Sequence, residues 1–210
     1  LEYVLDVAEK LHPARTIVVV GHQADQVQEK FSNRGLEFVL QEEQLGTGHA
    51  ARQTEQALNG FKGNVLVLCG DMPLIKTETL ERLLLQHKEV AAKCSVLTLK
   101  SKAKHDFGRI IRHVDGAILK IVEHRDASAQ EKIVDEFNSG VYCFDKDLFF
   151  KALSCLSADN IQKEYYLTDT LEYAMKNGCP VASVQIEDTD EIFGINSPED
   201  LKRAEKLLEK

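Results

Sequence analysis

Short, continuous apolar runs constrain what this chain can fold into more than any other feature. Thr16-Ile17-Val18-Val19-Val20 ends on Gly21-His22, Glu37-Phe38-Val39-Leu40 runs into a polar stretch, and Val65-Leu66-Val67-Leu68-Cys69 ends on Gly70-Asp71. Unbroken runs of this length predict strands covered on both faces, as in parallel sheets, where strict alternation would predict one wet face. Helical patterns lie between and around them. Leu80, Leu83, Leu84 and His87 share a face after Thr77, which reads as an N-cap. A second helix follows Thr168 and stops at Asn177-Gly178. The last opens on Ser197-Pro198-Glu199-Asp200, a cap, a first-turn proline and two acids. Strands alternating with helices predict an α/β fold with a doubly wound sheet.

One segment departs from that alternation. Residues 109–114 and 117–122 flank Asp115-Gly116, the strongest short signal for a hairpin, so an antiparallel hairpin is expected inside a largely parallel sheet. At 210 residues, with no repeat, no low-complexity tract and four prolines, the chain reads as one domain. It opens without Met inside an amphipathic helix carrying Leu1, Val4, Leu5 and Ala8 on one face, and is expected to be N-terminally incomplete.

Composition excludes several classes. A formal net charge of −8 argues against nucleic acid as a partner, since phosphate backbones are held by clustered Lys and Arg. No apolar run approaches the roughly 20 residues that cross a bilayer, so no membrane partner is expected. The five cysteines form no C-x-x-C pair, and scattered thiols fit a reducing, cytoplasmic setting. The dinucleotide, P-loop, serine-hydrolase and zincin motifs are all absent.

Open α/β sheets bind ligands at the carboxyl ends of their strands, and three polar clusters follow strand ends here. Gln41-Glu42-Glu43-Gln44-Leu45-Gly46-Thr47-Gly48-His49-Ala50 places two glycines around a threonine before a helix expected over residues 50–58. Either its backbone N–H groups approach a polar or anionic ligand, or it is a plain turn capped by Thr47. His49 has no partner visible in sequence. Asp71, after Cys69-Gly70, either holds Mg²⁺ against phosphate oxygens or turns the chain before Pro73. The third cluster is dispersed: Gly108 and Arg109, Glu123-His124 and Asn138-Ser139-Gly140, whose Asn and Glu side chains can read hydroxyls and an amide. Asn196, in Gly194-Ile195-Asn196, reads alone as a loop residue.

The same clusters, in this order, resemble the bacterial N-acetylglucosamine-1-phosphate uridylyltransferases, whose activity is one half of a bifunctional enzyme. The stretches are QEEQLGTGHA (41–50), LCGDMPL (68–74), FGRI (107–110), IVEHRDA (121–127), NSGVY (138–142), EYYLTD (164–169) and GIN (194–196). The resemblance implies a Rossmann-like nucleotide-diphospho-sugar transferase fold, with a mostly parallel mixed sheet and the inserted hairpin. It implies uridylyl transfer from UTP to N-acetylglucosamine 1-phosphate. Gln41, Gly46 and Thr47 would contact uridine, and Gly70 would line the nucleotide site. Asp71 would be catalytic, ligating Mg²⁺ with Asn196, while Gly108, Glu123 and Asn138 would bind the sugar. Cys69 stands where the family usually has a tyrosine. The family's opening strand, glycine-rich loop and phosphate-holding lysine are not in this sequence, nor is its acetyltransferase β-helix, and the lost strand implies an exposed sheet interior. The family's trimer contacts belong mainly to that half, so no oligomer is implied. The alternatives are another sugar-1-phosphate nucleotidyltransferase, a module that binds a nucleotide sugar without turnover, and an acyl or glycosyl transferase, which would usually require a D-x-D motif that Asp71-Met72-Pro73 does not supply.

Overall fold

The structure, a computed structural model, describes residues 1–103 and 105–209. In chain order the first elements are α1 (Glu2–Lys10), β1 (Ile17–Val20), α2 (Ala24–Lys30), β2 (Glu37–Leu40), α3 (Thr47–Arg52), β3 (Asn64–Val67) and α4 (Thr77–Glu89). There follow β4 (Cys94–Lys100), β5 (Arg109–Arg112), β6 (Ile118–Val122), β7 (Glu136–Asp145), α5 (Lys146–Ser154), α6 (Asp169–Lys176), β8 (Val181–Ile186) and α7 (Pro198–Leu208).

The sheet is built on β7. Along one edge it pairs antiparallel with β4, which pairs parallel with β8. Along the other edge Phe137 pairs with Arg109 of β5, and residues 142–145 pair with β3. The expected hairpin is present: β5 and β6 pair antiparallel around Asp115-Gly116. Since β3, β4 and β5 all run against β7, they and β8 point the same way, and the result is the expected mixed sheet of mostly common direction.

Both faces of β7 are covered. Tyr142 and Phe144 pack with Phe149, Leu153 and Leu171 of α5 and α6, while Val141 and Cys143 pack with Leu80 and Leu83 of α4. Two-sided burial is what the continuous apolar runs require. The strands β4 and β8 were not anticipated, although β4 is buried along nearly its whole length. Ser95, inside β4, is satisfied by His87 of α4, whose Nδ1 lies 2.8 Å from the hydroxyl.

Helix ends follow local chemistry. Ser197 Oγ accepts from Asp200 N at 3.1 Å with Pro198 in the first turn, and α6 gives way at Asn177 to Gly178 at φ 66°. Thr77 is the first helical residue of α4 rather than its cap; Lys76 holds the cap position in extended backbone with no side-chain bond.

The parallel pair β1–β2 hydrogen-bonds to no strand of the larger sheet. A cavity of about 820 Å³ separates β1 from β3, lined by Val18, Val20, Val65 and Val67 and by Val4 and Leu5 of α1. Two four-residue strands with an unpaired edge have little to hold them beyond helix packing. Amides of β1 and β2 should therefore exchange with deuterium about 100-fold or more faster than those of β4 and β7. Equal protection across the two sheets, read by peptide mass spectrometry, would contradict this account.

Candidate active site

The carboxyl end of β3 delivers Leu68, Cys69, Gly70 and Asp71 to the rim of the cavity. Asp71 and Gly70 are exposed. The Asp71 carbonyl accepts from Ile195 N at 3.0 Å, which ties this turn to the loop before α7. A Cβ placed on Gly194 would sit 3.1 Å from Asp71 Oδ2 and 3.6 Å from Asn196 Nδ2. The absence of that Cβ leaves open the space that the two side chains share. Asn196 is held by the helix cap, its N–H donating to Asp200 Oδ2 at 3.1 Å. Residues 125 positions apart in sequence thus meet at one point.

Cys69 turns inward. Its thiol lies 3.6 Å from the Gly140 carbonyl and would stand 3.0 Å from a Cβ on Gly140. Burial, and then the charge of Asp71, pushes it up to about 11, so it stays a neutral thiol.

The glycines of the 41–50 loop serve a packing purpose that sequence did not show. Gly46 has φ 106°, open only to glycine, and a Cβ there would come within 2.7 Å of the Tyr165 carbonyl. At Gly48 a Cβ would meet Leu156 Cδ1 at 2.4 Å, and its N–H donates to Tyr165 O at 2.8 Å. Thr47 Oγ1 accepts from Leu167 N at 3.1 Å. The three residues interlock this loop with residues 164–167. Thr47 is no cap: Gly46 holds that position, and α3 spans Thr47–Arg52 rather than residues 50–58. His49 gains a partner that sequence could not show, since Gln41 Nε2 donates to its Nδ1 at 3.0 Å and lies 3.2 Å from the Gly46 carbonyl.

Gly108, Glu123 and Asn138 also converge. A Cβ on Gly108 would lie 3.5 Å from both carboxylate oxygens of Glu123, and the Gly108 carbonyl accepts from Asn138 N at 2.8 Å. Burial raises Glu123 above its usual range, opposed by Thr168, whose hydroxyl donates to Oε1 at 3.1 Å. Three neighbours in sequence are structural. Arg109 lies buried over the Phe137 ring and donates to the Phe107 carbonyl, His124 faces Asp106 at 3.4 Å, and Ser139 Oγ accepts from Val141 N.

Of the expected site residues, Thr47, Cys69, Gly70, Glu123 and Asn138 line the cavity, with Asp71 and Asn196 beyond Gly70. Gln41 sits behind the loop as its brace. Sequence reasoning passed over Thr168, Tyr142 and Asp126, which orient others; Asp126 accepts from Tyr166 OH at 3.1 Å and from Ile161 N at 3.0 Å. All three fall within the stretches 121–127, 138–142 and 164–169 that carry the resemblance, but sequence assigned them no role. Among the described residues no three His, Cys, Asp or Glu side chains gather at one point.

An acid at a strand end, a crevice where the sheet changes partners and a polar far wall make this the candidate ligand site of an α/β fold. The family model described as Nucleotidyl transferase matches residues 2–207, and the chain belongs to that family. Its relatives include the bifunctional GlmU proteins of Bacillus velezensis, 42% identical over 208 residues, and of Bacillus cereus strain G9842, 44% identical over 208 residues. Those alignments cover 99% of this chain and 45% of each relative, so the chain spans about half their length. Among solved structures, a UDP-glucose pyrophosphorylase complexed with UDP-glucose aligns at TM-score 0.76 and 17% identity, over 99% of this chain and 85% of that one. A putative glucose-1-phosphate thymidylyltransferase from Bacillus anthracis aligns at 0.74 and 15%, over 98% and 80%. At these identities the structures establish the fold alone.

Asp169, at the start of α6, stands out electrostatically. Burial first, then Glu172, Glu123 and Asp126, pushes it up to about 6. An acid raised in the folded state destabilises the fold as pH climbs from its unfolded value near 4 to about 6, and the penalty is constant above that. Asp169→Asn should therefore be more stable than the parent by an amount that grows between about pH 4 and pH 6 and then levels off. Urea unfolding from pH 4 to 8 measures this; a pH-independent difference would sink the assignment.

Proposed function

We propose that this chain transfers a uridylyl group from UTP to N-acetylglucosamine 1-phosphate, releasing pyrophosphate and forming UDP-N-acetylglucosamine, a precursor for peptidoglycan. The observation that carries this reading is the meeting of Asp71 and Asn196 at the end of β3, on a cavity whose far wall holds Glu123 and Asn138. The match to the bifunctional GlmU proteins over 99% of the chain, together with the sequence resemblance to the N-acetylglucosamine-1-phosphate uridylyltransferases, supports the choice of nucleotide and sugar.

In this reading the sugar sits against Gly108, Glu123 and Asn138. Gly108 lets it approach, Glu123 accepts from a hydroxyl or amide N–H, and Asn138 supplies the complementary contact. The uridine lies over Gly46 and Thr47. With Gln41 Nε2 engaged by Gly46 and His49, its Oε1 is left to accept from the uracil N3–H. Gly70, exposed and without a side chain, leaves room for the phosphates. A phosphate oxygen of the sugar 1-phosphate then attacks the α-phosphorus in line and pyrophosphate departs, a reaction in which the protein acts by positioning.

Mg²⁺ fits the Asp71–Asn196 pair. The Asp71 carboxylate lies at the gap at Gly194 with the Asn196 Nδ2 beside it; a half-turn of that amide would present its oxygen, giving the few protein ligands that Mg²⁺ takes before completing its shell with phosphate oxygens and water. Bound there it supplies neutralisation of the phosphate charge. The cysteines described are all free, and no helix among the described residues is long and apolar enough to cross a membrane; the free thiols support a cytoplasmic assignment.

Pyrophosphate release with UTP, Mg²⁺ and a panel of sugar 1-phosphates tests the reading. Release should be specific to N-acetylglucosamine 1-phosphate, and Asp71→Asn should lower it ~100-fold or more with an unchanged circular dichroism spectrum. Equal release with glucose 1-phosphate, or an unaffected variant, would overturn the assignment.

A further inference from the structure

Tyr142 reads in sequence as a core residue, and most of it is. The side chain is 1% exposed, stacks on Phe144 with ring centroids 5.6 Å apart, and packs among the residues of α5 and α6. Its hydroxyl, however, donates to Asn138 Oδ1 at 2.9 Å. In a regular strand these positions lie on one face but about 13 Å apart along the backbone. Here they are drawn together, because Val96 and Thr98 of β4 pair with Tyr142 and Asn138, two steps against four. The two surplus residues keep the alternation of faces, and Gly140 at φ 81° makes the bend.

The same oxygen of Asn138 also accepts from Gly140 N at 3.1 Å. A backbone N–H can only donate, so the atom facing it is the carbonyl oxygen, and this fixes which way round the amide lies. Among the described residues Asn138 Nδ2 has no hydrogen-bond partner, and it is not a buried orphan, which leaves it to the cavity that Asn138, Glu123 and Thr168 line. A half-turn of the amide would set its NH₂ against the Gly140 N–H and require the phenol to turn from donor to acceptor.

We propose that Tyr142 is a positioning residue that locks the Asn138 amide with its NH₂ toward the cavity, so that the sugar half of the site offers one fixed donor, Asn138, beside one fixed acceptor, Glu123. This rests on the functional reading above and adds to it a rule of polarity. The ligand must bring an acceptor, a carbonyl or hydroxyl oxygen, to Asn138, and a donor to Glu123. Burial, and then the Glu123 charge, raises the Tyr142 phenol well above its usual range, so it remains a donor at any pH the protein meets.

Tyr142→Phe removes only the hydroxyl. In the ¹⁵N-labelled chain without ligand, the Asn138 side-chain NH₂ pair, identified by its loss in Asn138→Asp, should be single and sharp in the parent. In Tyr142→Phe it should broaden or split, with the backbone spectrum otherwise retained. By titration calorimetry, UDP-N-acetylglucosamine should bind the variant about tenfold more weakly while UMP binds unchanged. Asn138→Asp keeps a partner for the phenol but loses the donor; it should also lose sugar affinity, and adding Tyr142→Phe to it should cost nothing more. An unaltered Asn138 pair in Tyr142→Phe, equal weakening of both ligands, or additive effects in the double variant would overturn the proposal. If the parent binds UMP but no nucleotide sugar, the functional reading falls, and the ligand-free spectrum still decides the role of Tyr142.

Discussion

Everything at the site depends on one backbone event, the change of partners that β7 makes between Asn138 and Tyr142. Upstream of it β7 borders β5, downstream it borders β3, and β4 follows it on the other edge throughout. A strand that exchanges neighbours must part the sheet at that point, and the parting is the crevice. The carboxyl end of β3 supplies Cys69, Gly70 and Asp71 on one side. The end of the β5–β6 hairpin supplies Gly108 and Glu123 on the other. Gly140 is the residue that permits this geometry, through its φ of 81° and through the Cys69 thiol packed where a Cβ would be. The core gains as well: since two residues are inserted rather than one, Phe137, Val141 and Cys143 still face α4 while Tyr142 and Phe144 face α5 and α6.

A second constraint sits on the opposite lip. The loop at 45–48 and the segment at 164–167 touch backbone to backbone, through Tyr165 N to Leu45 O and Gly48 N to Tyr165 O, both at 2.8 Å. Glycines at 46 and 48 are the condition for that approach, and Thr47 completes it by accepting from Leu167 N. The segment so fixed goes on to place Thr168 against Glu123, and Asp126 clamps it from behind through Ile161 N and Tyr166 OH. The loop expected over uridine and the carboxylate expected under the sugar are therefore held by one continuous set of contacts, and a change at Gly46 would reach Glu123 through it.

The legible parts of the fold were those with local causes. Continuous apolar runs marked β1 and β2, Asp115-Gly116 marked the β5–β6 hairpin, and Ser197-Pro198 marked the start of α7. The strand β4 was missed because Ser95 and Thr98 interrupt its apolar run, and what makes Ser95 tolerable there is His87, on another element. Likewise the glycines at 46 and 48 and the histidine at 49 announced a special loop without announcing what approached it. Asp71 and Asn196 stand far apart in sequence, and only the resemblance paired them before the fold did. Sequence located the polar residues of the site well. It could not say which of them face a ligand and which hold another residue in place, because that depends on partners remote in the chain.

The distribution of charge bears on how such a site handles a phosphorylated substrate. Around the wall proposed for the sugar, burial and then neighbouring acids raise both Glu123 and Asp169, and Arg109 is committed to the Phe137 ring and the Phe107 carbonyl. That wall is suited to hydroxyls and an amide, and it repels phosphate. Under the proposed function, that repulsion would set direction: a sugar 1-phosphate would enter with its ring toward Glu123 and its phosphate toward Gly70 and Asp71, where a divalent cation would offset both the ligand's charge and the aspartate's. Hydrogen-bond polarity then orients the ring about that axis, since the Asn138 amide and the Glu123 carboxylate are each fixed by a buried hydroxyl, Tyr142 and Thr168. In the proposed reaction charge would select which end goes where and the two hydroxyls the rotation, so the positioning that the transfer needs would arise from groups that never touch the reacting phosphorus.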